Sequence, residues 1–393
     1  MSLALDRVPL AGPLDAVAKD GSASDVDVFS DPDASGLRAL WEALEARSDA
    51  SPYQSFAWIS CWCATVGVQA RIEPRIAVVR QSGRPVCILP MAIRRRGPVR
   101  LLTFLGDSHT NFHMGLFDRT WLSNTPASAQ RALLERAIEA AGPADVLELC
   151  CQPRQWAGQP NPFGLLSPFP SVNSGYAGTL APSIDALLAG RDGKKLRKKR
   201  RWQANRLKDH RWSVTQVREP ATLDACLVAL DERFGAAGIW NRFADAGVDG
   251  HFHRLLADPA SGFRLYALTI DGALVCGVGI LVQGRQASGC FIARPASDWE
   301  PISPGQLLLH DVVERLCAEG ITSFDLGKGR EDYKRAWCDT EIAMFDTCIA
   351  LTPWAGVFPL YERLKVFTKR MVRNDARMWN AAKRVRAALY GRL

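Results

Sequence analysis

The most informative part of the chain is residues 263–294, FRLYALTIDGALVCGVGILVQGRQASGCFIAR, followed at residues 303–320 by SPGQLLLHDVVERLCAEG. Short apolar runs separated by turn residues such as Asp271-Gly272 are typical of antiparallel strands. Apolar residues at three- and four-residue steps predict a helix over 304–319. The strands are expected at Phe263–Ile270, Ala273–Val282 and Gln286–Ala293.

The predicted helix has a strongly specified start. Ser303 is a favourable N-cap residue, Pro304 suits the first helical position, and Gln306 completes an S-x-x-Q capping box. Gly305 leaves the backbone of the first turn uncovered. Unpaired N–H groups and the helix dipole both favour an anion, so this turn is a candidate phosphate site. An ordinary capped helix is the alternative interpretation.

Residues 324–341, FDLGKGREDYKRAWCDTE, follow that helix and contain candidate catalytic groups. Asp325 is expected at the end of a short strand, and Tyr333 and Lys334 on a short helix after a glycine turn. A carboxylate and a phenol can supply a general base and a general acid. Lys334 is a candidate for neutralising a phosphate or a carboxylate.

The same segment supplies candidate substrate-binding residues, namely Lys328 and Arg330 on the glycine turn and Trp337 on the face of Tyr333 and Lys334. The segment lacks the residue order of a P-loop and of a dinucleotide-binding fingerprint. A surface turn with solvated charges is the alternative.

Positive charge is concentrated in two segments. Residues 194–211 contain ten Lys or Arg and one acid, and residues 362–393 contain ten and two, whereas the rest of the chain has a net charge of −9. An anionic partner is therefore expected at these segments, and at the first the candidates are a sugar nucleotide, a lipid-linked pyrophosphate or RNA, with a solvated helix as the alternative. Trp202 can stack there on a base or a sugar. Nucleic acid is not the expected partner.

The second basic segment has apolar residues at helical steps and is predicted to be a basic amphipathic helix. It is expected to contact an anionic inner membrane, an envelope-synthesis complex or an anionic nucleotide regulator. Packing against its own domain is the alternative.

A chain of 393 residues predicts two domains. We expect a disordered segment at 1–25, a first domain at 26–152, a Pro-rich linker at 153–175, a second domain at 176–355 and the basic helix at 356–393. Both domains are predicted to follow one plan of helices, a strand meander, a helix and a strand.

The sequence also bears on the location of the protein and on its metal content. No secretory signal or apolar run of membrane-spanning length occurs, which predicts a cytoplasmic protein, peripheral at the inner membrane where the basic helix binds. The eleven cysteines are expected to be reduced thiols. His251-x-His253 has no further ligand at metal-site spacing, so no metal is expected.

Six motifs carry a family resemblance. They are SPYQSFAW at 51–58, ILP at 88–90, FLG at 104–106, KKLRKKRRWQANRL at 194–207, SPGQLLL at 303–309 and DLGKGREDYKRAW at 325–337. In order and spacing, over roughly residues 35–350, they resemble the GNAT-like acetyltransferases grouped with the CelD/BcsL family of cellulose biosynthesis. That family is related to the FemABX peptidyltransferases.

The resemblance implies an α+β fold of two tandem GNAT-like domains, with mixed, mostly antiparallel sheets flanked by helices. It implies acetyl-CoA as acyl donor in the second domain. Pantetheine would lie between Ala273–Val282 and Gln286–Ala293, and pyrophosphate would bind at the helix start. The implied cofactor-binding residues are Val278, Gly279, Ile280, Ser303, Gly305 and Gln306. The loop before the helix, RPASDWEPI at 294–302, departs from the family's basic, glycine-rich loop.

The expected reaction is acyl transfer to an amine or hydroxyl of a sugar, an exopolysaccharide or another cell-envelope precursor. Asp325 would act as base and Tyr333 as acid or as an acceptor-binding group, with His251 and His253 as rival bases. One alternative is a FemABX-type transferase using aminoacyl-tRNA, which would carry a long coiled-coil arm that the sequence lacks. Another is a non-catalytic scaffold that binds a nucleotide or a membrane.

Overall fold

The computed structural model describes residues 24–190, 193–329, 332–374 and 378. Residues 24 and 25, expected to be disordered, begin the first strand, and the rest of the 1–25 segment lies outside the described residues. In the part of the chain that is described, no helix combines the length and apolar character needed to cross a membrane.

The strands and helices follow one another with short connections. In chain order the strands are β1 (Ser24–Phe29), β2 (Glu73–Gln81), β3 (Arg84–Arg96), β4 (Val99–Phe104), β5 (Leu116–Phe117), β6 (Val146–Pro153), β7 (Gln155–Trp156), β8 (Gln159–Pro160), β9 (Pro168–Pro170), β10 (Gly175–Thr179), β11 (Trp212–Val217), β12 (Phe263–Ile270), β13 (Ala273–Gln283), β14 (Gln286–Ala293), β15 (Ser323–Lys328), β16 (Thr340–Ile342) and β17 (Met344–Ala350). The helices are α1 (Leu37–Glu45), α2 (Phe56–Trp62), α3 (Arg119–Asn124), α4 (Ala127–Ala140), α5 (Ile184–Ala189), α6 (Gly193–Arg206), α7 (Pro220–Ala236), α8 (Val248–Ala257), α9 (Pro304–Ala318), α10 (Asp332–Trp337) and α11 (Val357–Asn374).

Two large sheets share one plan. The first has the order β1-β2-β3-β4-β6-β17-β9, and the second has the order β11-β12-β13-β14-β15-β10-β16. Each begins with four antiparallel strands, continues with a parallel strand reached through a helix, and adds an antiparallel strand beside it. The predicted duplication and the mixed, mostly antiparallel α+β fold are both confirmed.

The two sheets exchange strands. β17, expected within the second domain, lies between β6 and β9 of the first sheet. The Pro-rich segment expected to be a linker provides β9 to the first sheet, and its last residue, Gly175, begins β10 of the second. The boundaries predicted at 153–175 and 355 therefore do not separate two independent units. The physical reason is that β6, whose side chains are mostly buried, would otherwise be an unpaired edge.

A shared apolar core joins the two halves. Trp58 and Ile59 of α2 lie in one buried cluster with Phe252 and Leu255 of α8. Trp58 also packs edge-on against the His251 ring, with the ring centroids 4.5 Å apart. Each large apolar side chain buried in this way stabilises the fold by roughly 1.5–3 kcal/mol, so the halves form one cooperative body.

Candidate functional site

A gap between two neighbouring strands of the second sheet forms the candidate site. β14 and β15 are parallel and pair only from Gln286 opposite Ser323 to Ser288 opposite Asp325. Beyond Ser288 the two strands are no longer paired with each other. The sequence predicted this gap between β13 and β14. Those strands instead stay paired, from Gly277 opposite Ala293 to Gln283 opposite Gln286. The gap therefore lies one strand further along the sheet than expected.

A cleft of about 560 Å³ opens at this gap. Its apolar walls come from helix α7, the following loop, the strands beside the gap and helix α9. The apolar residues lining it are Phe234, Ile239, Phe243, Val278, Phe291, Ile292, Leu309, Phe324 and Leu326. Such walls suit an uncharged, extended part of a ligand.

The polar lining of the cleft is strongly positive. Five basic side chains border it and no acidic side chain does among the described residues. The basic residues are Arg233, Arg242, Arg294, Lys328 and Lys334. Arg294 forms an ion pair with Glu300 at 3.0 Å, but Glu300 does not line the cleft. A cleft with apolar walls and a net positive lining favours a ligand with an extended apolar part and an anionic end.

The start of α9 opens into the cleft through Ser303, Gly305 and Gln306. Ser303 has a φ of 57° and its side chain does not cap the helix, so the predicted capping box is wrong. Instead its hydroxyl accepts a hydrogen bond from Lys199 Nζ at 2.9 Å. Pro304 has no N–H, and the Gln306 and Leu307 amides donate to the Ser303 carbonyl, so the Gly305 amide and the helix dipole are what this turn offers to an anion.

The basic helix α6 holds this turn in place. Besides the Lys199 contact, Gln203 Nε2 donates a hydrogen bond to the Ile302 carbonyl at 2.8 Å. Burial and the neighbouring Lys195 lower the pKa of Lys199. A cation of the basic segment at 194–211 thus lies at the positive end of the α9 dipole.

The first half of the chain closes the narrow end of the gap. Tyr53, which is fully buried, donates a hydrogen bond through its hydroxyl to the Gly289 carbonyl at 3.0 Å. Asn111 Nδ2 donates to the Tyr53 hydroxyl at 2.8 Å and to the same carbonyl at 3.1 Å. Lys328 Nζ donates to the Thr110 carbonyl at 3.1 Å. Sequence reasoning missed Tyr53 and Asn111 because nothing local links them to Gly289, which is 236 and 178 positions away.

Comparisons with known proteins agree with this geometry. Residues 194–335 match the family model described as an acetyltransferase (GNAT) domain. This match supports a GNAT-like fold for the second half of the chain. No curated protein matches the sequence.

Two solved structures are similar to the whole arrangement. The structure of FemX is 12% identical, with a TM-score of 0.60, and the match covers 82% of this chain and 98% of that one. The structure of L-PGS from Bacillus licheniformis is 12% identical, with a TM-score of 0.51, and the match covers 86% and 99%. At such low identity the likeness concerns the fold, which is a tandem of two GNAT-like domains.

Several predicted residues of the GNAT domain come together at the cleft. Tyr333 and Lys334 line it beside Val278 and Lys328. Lys334 is 3% exposed, and its Nζ donates a hydrogen bond to the Lys328 carbonyl at 2.9 Å. The 324–337 segment therefore supplies two of the five basic residues that line the cleft.

Asp325 is not brought to this cleft. Alternation along β15 directs Phe324 and Leu326 into it, whereas Asp325 borders a separate cavity of about 760 Å³. The carboxyl accepts hydrogen bonds from Ser288 Oγ and, at 3.0 Å, from the Gly327 amide. Burial raises the pKa of Asp325 to about 7. Its role as a base stays a prediction.

The remaining candidates lie elsewhere. Gly279 and Ile280 do not line the cleft of the GNAT domain. Trp337 is 2% exposed in the core, and Trp202 is 42% exposed with Arg206 over its ring. Arg330 lies outside the described residues.

The rival histidines belong to the scaffold. His251 is fully buried against Trp58, and burial lowers its pKa to about 3. His253 Nε2 lies 3.1 Å from Asp224 Oδ1 at the surface. Among the described residues no group of three or more His, Cys, Asp or Glu side chains has the arrangement of a metal site.

Proposed function

We propose that the protein is an acyltransferase that uses an acyl-CoA, acetyl-CoA in the first instance, as donor. The observation that carries this proposal is the positive cleft at the β14–β15 gap, with the uncapped start of α9 at one end. Pantetheine is long, uncharged and amide-rich, and fits apolar walls beside unpaired strand edges. The pyrophosphate is the anion for the helix start and for Arg294.

The acceptor is proposed to be an amine or hydroxyl of a sugar, an exopolysaccharide or another cell-envelope precursor. The resemblance to the CelD/BcsL family supports this class. The acceptor atom attacks the thioester carbon, the C–S bond breaks as the new C–N or C–O bond forms, and the coenzyme A thiolate leaves. One proton passes from the acceptor to a base, and one proton reaches the thiolate.

Residues of this chain supply groups for those steps. The register shift at Cys290 adds a residue to β14 beside the gap, and an unpaired N–H there suits the oxyanion. Tyr333 lines the cleft and suits proton donation to the thiolate. Asp325, with a pKa near neutrality, suits proton acceptance from an acceptor on its side of β15.

A FemABX-type transferase that uses aminoacyl-tRNA is the second candidate. The fold similarity to FemX and the basic surface of α6 favour it, since Lys194, Lys198 and Arg201 are exposed. In the described part of the chain no helix is longer than the 18 residues of α11, so no long coiled-coil arm is present there.

The test is product detection by mass spectrometry after incubation of the protein with acetyl-CoA and a panel of amino sugars, sugar nucleotides and oligosaccharides. An acceptor heavier by one acetyl group, formed only with protein present, supports the proposal. Transfer from an aminoacyl-tRNA with none from acetyl-CoA would favour the second candidate. A protein that binds the donor but modifies no acceptor would fit the non-catalytic scaffold.

A further inference from the structure

Helix α11 carries an apolar stripe that the described part of the chain leaves exposed. Large apolar side chains recur along it at three- and four-residue steps, each between 49% and 74% exposed. They are Val357, Leu360, Tyr361, Leu364, Phe367 and Met371. Soluble proteins scatter single apolar residues over their surfaces, but six on one helix face form a contiguous patch that marks an interaction site.

The opposite face of α11 fixes the direction of this stripe. Glu362 and Val366 are buried, at 5% and 8% exposed. Arg96 of β3 donates a hydrogen bond to Glu362 at 3.1 Å, and α11 packs against β17. Since the helix is attached to the first sheet by its polar and small apolar face, the large apolar residues point away from the fold.

Basic residues border the stripe on both sides. At about 3.6 residues per turn, Arg363 and Arg370 fall along one border and Lys365 and Lys369 along the other. Arg363 lies over the Phe169 ring, 5.6 Å from its centroid, so its charge stays near the surface. An outward apolar stripe between two basic borders is the pattern of a helix lying in a membrane interface.

Two aromatic residues are exposed on and just before α11. Trp354, just before α11, is 58% exposed, and so is Tyr361. Aromatic rings with a polar edge are favoured at the boundary between lipid and water. Sequence beyond the helix continues the charge pattern, because residues 379–393 hold four basic residues and no acidic one.

We propose that α11 docks in the plane of an anionic phospholipid membrane, with its apolar stripe in the acyl boundary and its two basic borders at the headgroups. Charge complementarity selects this occupant. A second copy of the chain placed on the stripe would bring basic borders against basic borders, whereas anionic headgroups pair with both borders. The inference does not depend on the reaction at the cleft.

The test is flotation of the full chain with phosphatidylcholine vesicles and with vesicles that also contain phosphatidylglycerol. Binding is expected to the anionic vesicles and to weaken with salt. Leu364→Ser is expected to reduce binding at least about tenfold, since one leucine leaves the acyl boundary. Lys369→Gln is expected to reduce it about fivefold on anionic vesicles only.

Matched controls come from other surfaces. Val228→Ser removes an apolar side chain that is 58% exposed on α7, and Lys208→Gln removes a cation that is 71% exposed. Both are expected to leave flotation unchanged, and circular dichroism checks that all four variants fold. Absence of binding to anionic vesicles, or equal losses in controls and α11 variants, would overturn the proposal. A dimer in light scattering that Leu364→Ser dissociates would overturn it in favour of a second copy.

Discussion

Asp325 is a carboxyl whose surroundings decide its charge. Ser288 and the Gly327 amide donate hydrogen bonds to it, but burial prevails and raises its pKa to about 7, from an ordinary value of 3.8. Near neutral pH the carboxyl is therefore close to half protonated. A group in that state can accept a proton in a reaction, yet it also makes folding depend on pH.

Replacement of Asp325 by Asn tests this state. The folded protein holds a proton on Asp325 between about pH 4 and about pH 7, and the unfolded chain does not, so this residue lowers stability as pH rises through that window. Asn can accept the bond from the Gly327 amide through Oδ1 and can donate from Nδ2 to Ser288 Oγ, and it does not titrate. The free energy of unfolding of Asp325→Asn, relative to the unchanged protein, is expected to rise from about pH 4 to about pH 7.

Urea titrations across this window provide the measurement. A difference between the two proteins that does not change with pH would mean that the carboxyl stays ionised in the folded state. The same variant reports on catalysis, because loss of turnover in a folded Asp325→Asn protein is the result expected of a base.

Tyr333 is the phenol that lines the cleft where the acyl donor is proposed to bind. Tyr333→Phe keeps the ring and removes the proton donor. We expect kcat to fall by about a hundredfold, within the range for loss of a general acid, with little change in the KM for acetyl-CoA. Steady-state kinetics by mass spectrometry measure both constants. An unchanged kcat would mean that Tyr333 contributes only the packing of its ring and not a proton.

At the scale of elements, helix α6 and helix α9 work as a pair. Lys199 holds Ser303 at the turn where the donor pyrophosphate is proposed to bind. Ser303 adopts a left-handed conformation, which is uncommon for a residue with a side chain and needs support from its surroundings. The basic helix thereby supports the anion site through contacts as well as charge.

Lys199→Met is predicted to weaken acetyl-CoA binding by about tenfold, because a hydrogen bond from a charged group and a nearby cation are both lost. Lys198→Met is the control, since Lys198 is the exposed neighbour on the same helix. Calorimetric dissociation constants compare the two variants. Equal weakening in both would point to net charge rather than to the Ser303 contact.

Local pattern predicted β12, β14 and α9 well, since alternating apolar runs, the Asp271-Gly272 turn and Pro304 act over a few residues. Local pattern did not predict the gap between β14 and β15. The position of this gap depends on how β15 pairs with β14, and a long helical connection separates the two strands in the chain. The capping box failed for a related reason. Lys199 and Gln203, about a hundred residues away, hold the turn in a conformation that the local motif does not specify.

At the scale of the molecule, the exchange of strands decides how the chain folds. β17 completes the first sheet, and its Phe345 is fully buried in the core of that sheet. Tyr53 and Asn111 of the first half complete the cleft of the second. None of these contacts has a local sequence signal. Local sequence patterns therefore predicted two domains joined by a linker.

A fragment of residues 1–175 is predicted not to fold on its own, because β6 and β9 lose their common partner and Phe345 leaves the core. Urea denaturation followed by circular dichroism is expected to show no cooperative transition for this fragment. Co-expression with residues 336–393, which contain β17 and α11, is expected to restore one. A cooperative transition in the fragment alone would contradict the exchanged architecture.

The most direct measurement is calorimetric titration of acetyl-CoA into the unchanged protein, Gly305→Asp and Gly305→Asn. A side chain at 305 enters the cleft near Ile292 and Arg294, and an aspartate there suits the helix dipole while repelling a phosphate. We predict a Kd on the order of micromolar for the unchanged protein, at least about tenfold weaker binding for the aspartate variant and a smaller loss for the asparagine variant. Absence of acetyl-CoA binding, or equal binding by all three proteins, would contradict a coenzyme A donor at the start of α9.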